Sequence, residues 1–154
     1  MSLGITPISK PAINLNALNS GFQSQQAFIA LARAFEDIGV SAYGGAAPPI
    51  TTNSILATAA RILATEAEHA ANLRLHASLY QAPTMQLDGA DSTPPPTGTK
   101  YFTTNANGLT PVRTPGQVLY LAYGNAAGAT SGGFFPDSVN GNINASTSAA
   151  TSNS

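Results

Sequence analysis

The residues of this chain that could carry chemistry are concentrated in one short stretch, RILATEAEHAANLRLHASLY, residues 61–80. Only 8% of the 154 residues are charged, yet this stretch holds Glu66, Glu68 and both histidines, His69 and His76. Glu66 and His69 are three positions apart, so a helix places them side by side on one face. Carboxylate and imidazole ligands together suit iron or manganese, and Glu-x-x-His is the ligand unit of carboxylate-bridged two-metal helix bundles. The stretch therefore predicts half of a metal site.

Two predicted helices would position these side chains. The first begins after Ser24, a good N-cap residue, and ends near Gly44–Gly45; the second covers about residues 53–81 and ends before Pro83. Along the second helix a stripe of positions recurs at steps of four and three, which is a heptad pattern. The stripe is apolar except for one glutamate and two histidines. Its members are Ile55, Ala59, Ile62, Glu66, His69, Leu73, His76 and Tyr80.

The heptad pattern predicts that Glu66 and His69 face the inside of a helix bundle, whereas Arg74 and the other charged residues of this helix fall outside it. The first helix offers a third ligand, because Glu36 shares a stripe with Ile29 and Val40. A metal-free hydrogen-bonded pair is the alternative for Glu66 and His69. For Glu36 the alternatives are a pair with Arg33 or a solvated turn with Asp37, and for His76 a core or supporting role.

Four segments resemble bacterial ferritin-like proteins of the desiccation-related group: ALARAFEDIGVSAYGGAA, ILATEAEHAANLR, RTPGQVLYLAYGN and GGFFPDSVNG. The resemblance covers most of residues 11–143. It implies a mostly α fold, in which two long antiparallel helices form half of a ferritin-like four-helix bundle and a long irregular C-terminal extension follows. By position, Glu36 is the third-helix ligand and Glu66 with His69 the fourth-helix pair of a di-iron or di-manganese site.

The resemblance leaves the first two bundle helices unaccounted for. Three explanations stay open: the chain is a partial or processed product, it is a half-protein that pairs with a second copy, or it keeps the packing and has lost the metal. Exposed apolar seams predict a homo-oligomer or a second chain that supplies the missing helices.

We expect four segments along the chain. Residues 1–23 are an extended lead-in and residues 24–82 the helical hairpin. Residues 83–143 are an irregular extension with a short helix near 115–123, where Thr114 is the N-cap and Pro115 the first helical residue. Residues 144–154 are a low-complexity tail, which we expect to be loose.

Composition excludes several classes of protein. The formal net charge of −1 and the pI of about 6.0 argue against nucleic-acid binding. The sequence contains no run of about 20 apolar residues, so it predicts no membrane-spanning helix. The N-terminal residues contain no apolar signal-peptide core, but low charge with abundant Ala, Ser, Thr, Asn and Gly is typical of exported proteins. We therefore expect a periplasmic, cell-surface or extracellular location.

Two hypotheses for function follow, and the sequence leaves open whether the chain is an enzyme. The first is a two-metal site, completed by a partner chain, with oxidase or peroxide-scavenging chemistry. The second is a non-catalytic, exported and self-assembling structural protein, linked to desiccation or stress tolerance, that has lost the metal site.

Overall fold

The computed structural model describes residues 6–17 and 21–151, and within these residues the regular structure consists of three helices and no strand. The helices are α1 (Gln25–Ala46), α2 (Asn53–Leu79) and α3 (Pro115–Ala122). No helix in this part of the chain is long and apolar enough to cross a membrane. The helices lie where the sequence predicts them.

Local capping explains where two of the helices begin. The Ser24 hydroxyl accepts a hydrogen bond from the Ala27 N–H at 3.1 Å, which satisfies one of the free donors at the start of α1. At the start of α3, Thr114 and Gln117 form a reciprocal capping box, and Pro115 occupies the first helical position. Both N-caps match the sequence prediction.

Helices α1 and α2 pack against each other as an antiparallel hairpin. Near the middle of α1, Glu36 Oε2 lies 3.4 Å from His69 Nδ1 of α2. Two turns further along α1, a Cβ added at Gly44 would lie 3.9 Å from Leu63 Cδ1. Partner numbers on α2 therefore fall as those on α1 rise, and the two helices run in opposite directions.

The interior of this molecule is built around arginine. Arg33, Arg74 and Arg113 are the largest fully buried side chains, whereas the apolar core cluster consists of Ile29 with two alanines, Ala77 and Ala82. A buried guanidinium costs free energy unless carboxylates and carbonyls surround it. The positions of these partners therefore determine how the chain after α2 packs.

Arg33 of α1 and Arg74 of α2 share two aspartates. Arg33 Nε lies 2.6 Å from Asp37 Oδ2, and Arg74 Nε donates to Asp37 Oδ1 at 3.0 Å. Asp91, from the segment after α2, accepts from Nη2 of both arginines. Burial raises the pKa of the Asp37 carboxyl above its ordinary value, although Arg33 and Arg74 oppose this effect. The network joins both helices to the C-terminal segment.

Arg113 attaches a later part of the segment to α1. Its Nε and Nη2 donate to the two carboxylate oxygens of Asp88 at 2.8 and 2.6 Å, and its Nη1 donates to Ser41 Oγ at 2.8 Å. The Arg113 N–H also donates to the Ser41 carbonyl at 3.1 Å. The backbones are so close that a Cβ added at Gly45 would collide with the carbonyl oxygen of Arg113. Only glycine allows this approach.

The prediction that Arg74 falls outside the packed face was wrong. Arg74 is 2% exposed, whereas Ile55 and Ile62 of the heptad pattern are 46% and 37% exposed. The reason is that the C-terminal segment returns over the opposite side of the hairpin. The heptad face is therefore the open side of this chain.

The prediction of a loose tail from residue 144 was also wrong for residues 144–151. Ser146 Oγ donates to the Ala126 carbonyl at 2.6 Å, and the Thr147 N–H donates to the Gly116 carbonyl at 2.9 Å. Hydrogen bonds to backbone carbonyls hold this polar segment in place, although its composition contains no apolar pattern. Residues 152–154 of the tail, and residues 1–5 and 18–20 of the predicted lead-in, lie outside the described residues.

Removal of one buried guanidinium should destabilise the whole fold. We expect Arg74→Met to lower the free energy of unfolding by about 3–5 kcal/mol, because Asp37 and Asp91 lose a partner in a buried site. Arg61→Met, an exposed position on the same helix, is the control and should change it by less than about 0.5 kcal/mol. Urea unfolding followed by circular dichroism measures both. Equal effects of the two substitutions would contradict the role of the network.

Candidate metal centre

The structure brings together the three residues that the sequence predicts as metal ligands. Glu36 projects from the middle of α1 toward α2, and Glu66 and His69 lie one turn apart on α2. The Glu36 Oε2 to His69 Nδ1 distance is 3.4 Å. The antiparallel pairing of the two helices is the cause, because it places the centre of α1 opposite the Glu-x-x-His unit.

The two carboxyl groups of the cluster interact directly. The pKa of Glu66 is raised, first by a hydrogen bond with Glu36, then by burial and by the negative charge of Glu36, while His69 opposes the shift. Two carboxylates this close repel each other unless a proton or a cation lies between them. A proton or a cation between Glu36 and Glu66 would therefore stabilise the pair.

Gly39 makes room for this pair. A Cβ at position 39 would lie 2.7 Å from Glu66 Oε2, so the carboxylate rests directly against the α1 backbone. Our sequence analysis missed this residue. Its signal was a glycine in a helix interior, one turn after Glu36 on the same face, because such a glycine weakens the helix unless something packs closely against it.

The surroundings of Glu36 exclude the alternatives predicted for it. Arg33 pairs with Asp37 and Asp91 rather than with Glu36, and Asp37 faces the arginine network rather than solvent. Glu36 Oε2 is buried and accepts no hydrogen bond of normal geometry from the described residues. A buried oxygen without a donor is costly, so this atom favours positive charge beside it, either on His69 at 3.4 Å or on a bound cation.

His76 lies apart from the cluster. Its ring meets the ring of Tyr80 edge to face, with centroids 5.7 Å apart and an angle of 64° between the planes. Among the described residues, no hydrogen bond joins His76 to any of the three predicted ligands.

The donor types fit iron or manganese, but their arrangement is incomplete. One imidazole and two carboxylates suit these metals, and the unpartnered Glu36 oxygen is consistent with a ligand role. However, no group of three or more ligating side chains in residues 6–17 and 21–151 is arranged to hold a metal ion. The His69 side chain is 56% exposed on the open side. Further ligands would therefore have to reach the cluster from that side.

Comparison with known proteins assigns the chain to a family. The family model of the ferritin-like domain matches residues 1–79, which is just over half of the 154-residue chain. The chain belongs to the ferritin-like domain family. No curated protein and no solved structure matches it. The match ends at Leu79, the last residue of α2, so the ferritin-like part contains the hairpin with Glu36, Glu66 and His69.

Gly39→Ala should separate the carboxyl pair without loss of stability. The added methyl group meets the mobile end of Glu66, so the side chain can move away, and alanine favours a helix by about 0.5–1 kcal/mol over glycine. We expect an unchanged or higher free energy of unfolding and a pKa of Glu66 that falls toward its ordinary value. Carboxyl carbon NMR titration measures the pKa.

Gly45→Ala, on the same helix, is the matched control. Its methyl group meets the Arg113 backbone, which cannot move without disturbing the arginine network, so this substitution should destabilise the fold. A Glu66 carboxyl that titrates identically in Gly39→Ala and in the unsubstituted chain would contradict the close approach of Glu66 to α1.

Proposed function

We propose that this ferritin-like chain binds iron or manganese through Glu36, Glu66 and His69, and that a partner chain completes a two-metal site. In this proposal α1 and α2 are half of a four-helix bundle, and residues 83–143 are an extension outside it. The observation that carries the proposal is the approach of His69 Nδ1 to within 3.4 Å of Glu36 Oε2, a buried oxygen without a hydrogen-bond donor, with the Glu66 carboxyl beside Glu36.

Each residue would have a distinct part in such a site. Glu66 would bridge, because it already lies beside the Glu36 carboxylate. Glu36 would bind from the buried side of the cluster and His69 from the open side. When bound, iron or manganese would supply redox chemistry toward oxygen or peroxide, and the function would be an oxidase or a peroxide scavenger.

The remaining parts of the proposal concern group and location. Of the four segments that resemble the desiccation-related group, the two C-terminal ones form α3 and a turn with the buried Phe134, which packs against Phe35 with ring centroids 4.9 Å apart. The resemblance of these segments supports membership in that group. The low charge content of 8% supports export to the periplasm, the cell surface or the extracellular space.

A second candidate is a non-catalytic, self-assembling structural protein for desiccation or stress tolerance. The observation that favours it is the raised pKa of Glu66. A single proton shared between Glu36 and Glu66 would satisfy the pair without any metal. The cluster would then be a polar contact within a packing surface.

Glu66→Leu distinguishes the two functions. If the cluster binds metal, native mass spectrometry of protein isolated from its source should show two metals per complex, and Glu66→Leu should lose them. Added manganese should then stabilise only the unsubstituted protein, by about 2.7 kcal/mol at 100 times the dissociation constant. Glu68→Leu, an exposed neighbour, is the control and should bind metal normally.

If the cluster is only a packing contact, the outcome differs. The isolated protein would be metal-free, and Glu66→Leu would be neutral or stabilising, because an apolar side chain suits a heptad position without the cost of burying a carboxylate. That result would overturn the metal proposal and support the structural one.

A further inference from the structure

The sequence contains two Asn-Gly pairs, Asn107–Gly108 and Asn140–Gly141, and both asparagines are exposed to solvent. An asparagine before glycine is chemically reactive, because the backbone nitrogen of the glycine can attack the side-chain carbon Cγ of the asparagine. Glycine has no side chain that obstructs this approach. Since the two pairs have the same composition and exposure, a difference in their reactivity would have to come from local structure.

The backbone nitrogens of the two glycines differ in their hydrogen bonds. The Gly108 N–H donates to the Asn105 carbonyl at 3.0 Å inside a turn. This bond retains the proton that the nitrogen must lose before it can attack. The Gly141 N–H donates a hydrogen bond to no group in the part of the chain that the structure describes. The nucleophile of the second pair is therefore available, whereas that of the first pair is held.

The Asn140 side chain also attaches the N-terminal lead-in to the C-terminal segment. Asn140 Nδ2 donates to the Ser9 carbonyl at 2.8 Å and to Ser9 Oγ at 3.2 Å. Residues 6–10 are all exposed, so burial of apolar surface contributes little to their position. A further bond from the lead-in to this segment, from the Asn14 N–H to the Phe134 carbonyl at 2.9 Å, lies beyond them. The Asn140 amide is therefore a principal contact of residues 6–10.

We propose that Asn140 is a site of spontaneous deamidation, and that the reaction releases residues 6–10 from the C-terminal segment. The Gly141 nitrogen loses its proton to solvent and forms a bond with Asn140 Cγ. The Cγ–Nδ2 bond then breaks, and Nδ2 takes up a proton and leaves as ammonia. Water opens the resulting cyclic imide to aspartate or isoaspartate. The net reaction consumes water and releases ammonia, so it requires neither an oxidant nor an enzyme.

The products cannot restore the contact with the lead-in. An ionised carboxylate has no proton to donate, so the Ser9 carbonyl loses its donor and faces a negative charge instead. In isoaspartate the main chain runs through Cγ, which lengthens the backbone and moves the carboxylate to a new position. Residues 6–10 lose the contact with Asn140 in either case.

Peptide mapping by mass spectrometry tests the site, after incubation of the folded chain in mildly alkaline buffer. Asn140 should deamidate about fivefold faster than Asn107, the ratio that corresponds to one hydrogen bond of ordinary net strength at Gly108. Rates in concentrated urea, where the turn is lost, correct for the influence of neighbouring residues. Equal corrected rates, or a faster reaction at Asn107, would overturn the assignment of Asn140.

Gly141→Ala is the matched variant for the chemical step. A Cβ at this position would lie 3.8 Å from the Ile143 carbonyl oxygen, which is an ordinary contact, so the fold accepts the methyl group. The same methyl group obstructs the attack on Asn140 Cγ. We expect an unchanged circular dichroism spectrum and a reaction at Asn140 that is at least as slow as that at Asn107. An unchanged rate at Asn140 would contradict attack by the backbone nitrogen.

Asn140→Asp tests the release, because it introduces one of the two products from the start. The NMR order parameter of the Ser9 amide should fall below about 0.6, the range of flexible backbone. The unsubstituted chain should keep a higher value, and so should Asn107→Asp, which changes the other pair in the same way. A Ser9 amide that is equally mobile in all three proteins would overturn the proposed release.

Discussion

The structure depends on the burial of three guanidinium groups in a chain with only six basic residues. Each buried arginine requires carboxylates and carbonyls that reach it inside the fold. Asp37 lies on α1, but Asp88 and Asp91 lie in the irregular segment after α2, so that segment must return to the hairpin. Buried apolar residues of the later segment, among them Leu119, Leu121 and Phe134, contribute further packing. Paired charge therefore fixes Asp88 and Asp91 against the hairpin, and apolar contacts such as that of Phe134 with Phe35 add to it.

The same network determines which carboxylates remain available for other chemistry. Glu36 and Asp37 are neighbours in sequence, but a helix rotates consecutive side chains by about 100°. Asp37 therefore reaches Arg33 and Arg74, while Glu36 faces α2 with no guanidinium beside it. Because the arginines pair with Asp37 but not with Glu36, the Glu36–Glu66 pair must obtain its positive charge from a proton or a cation. One adjacent pair of acidic residues thus serves two separate purposes.

Much of the hairpin could be predicted from the sequence, because its signals are local. The caps at Ser24 and Thr114 and the heptad spacing of Glu66 and His69 depend on residues within one or two turns. The covered side of the hairpin could not be predicted. Arg74 is buried by Asp91, which is 17 positions away in a segment without periodicity. The tail escaped prediction for a related reason, since backbone hydrogen bonds from Thr147 to Gly116 leave no pattern of side chains.

The exposure of the heptad face bears directly on the proposed metal site. The C-terminal segment covers one side of the hairpin, whereas heptad residues such as Ile55 and Ile62 are exposed on the other side and available to a partner. His69 also opens to that side, and Glu36 Oε2 lies directly behind it. Any partner that covers the apolar surface therefore brings its own side chains toward the carboxyl pair and removes water from it. The lower local dielectric makes an uncompensated carboxylate more costly, so assembly would increase the demand for a proton or a metal ion between Glu36 and Glu66.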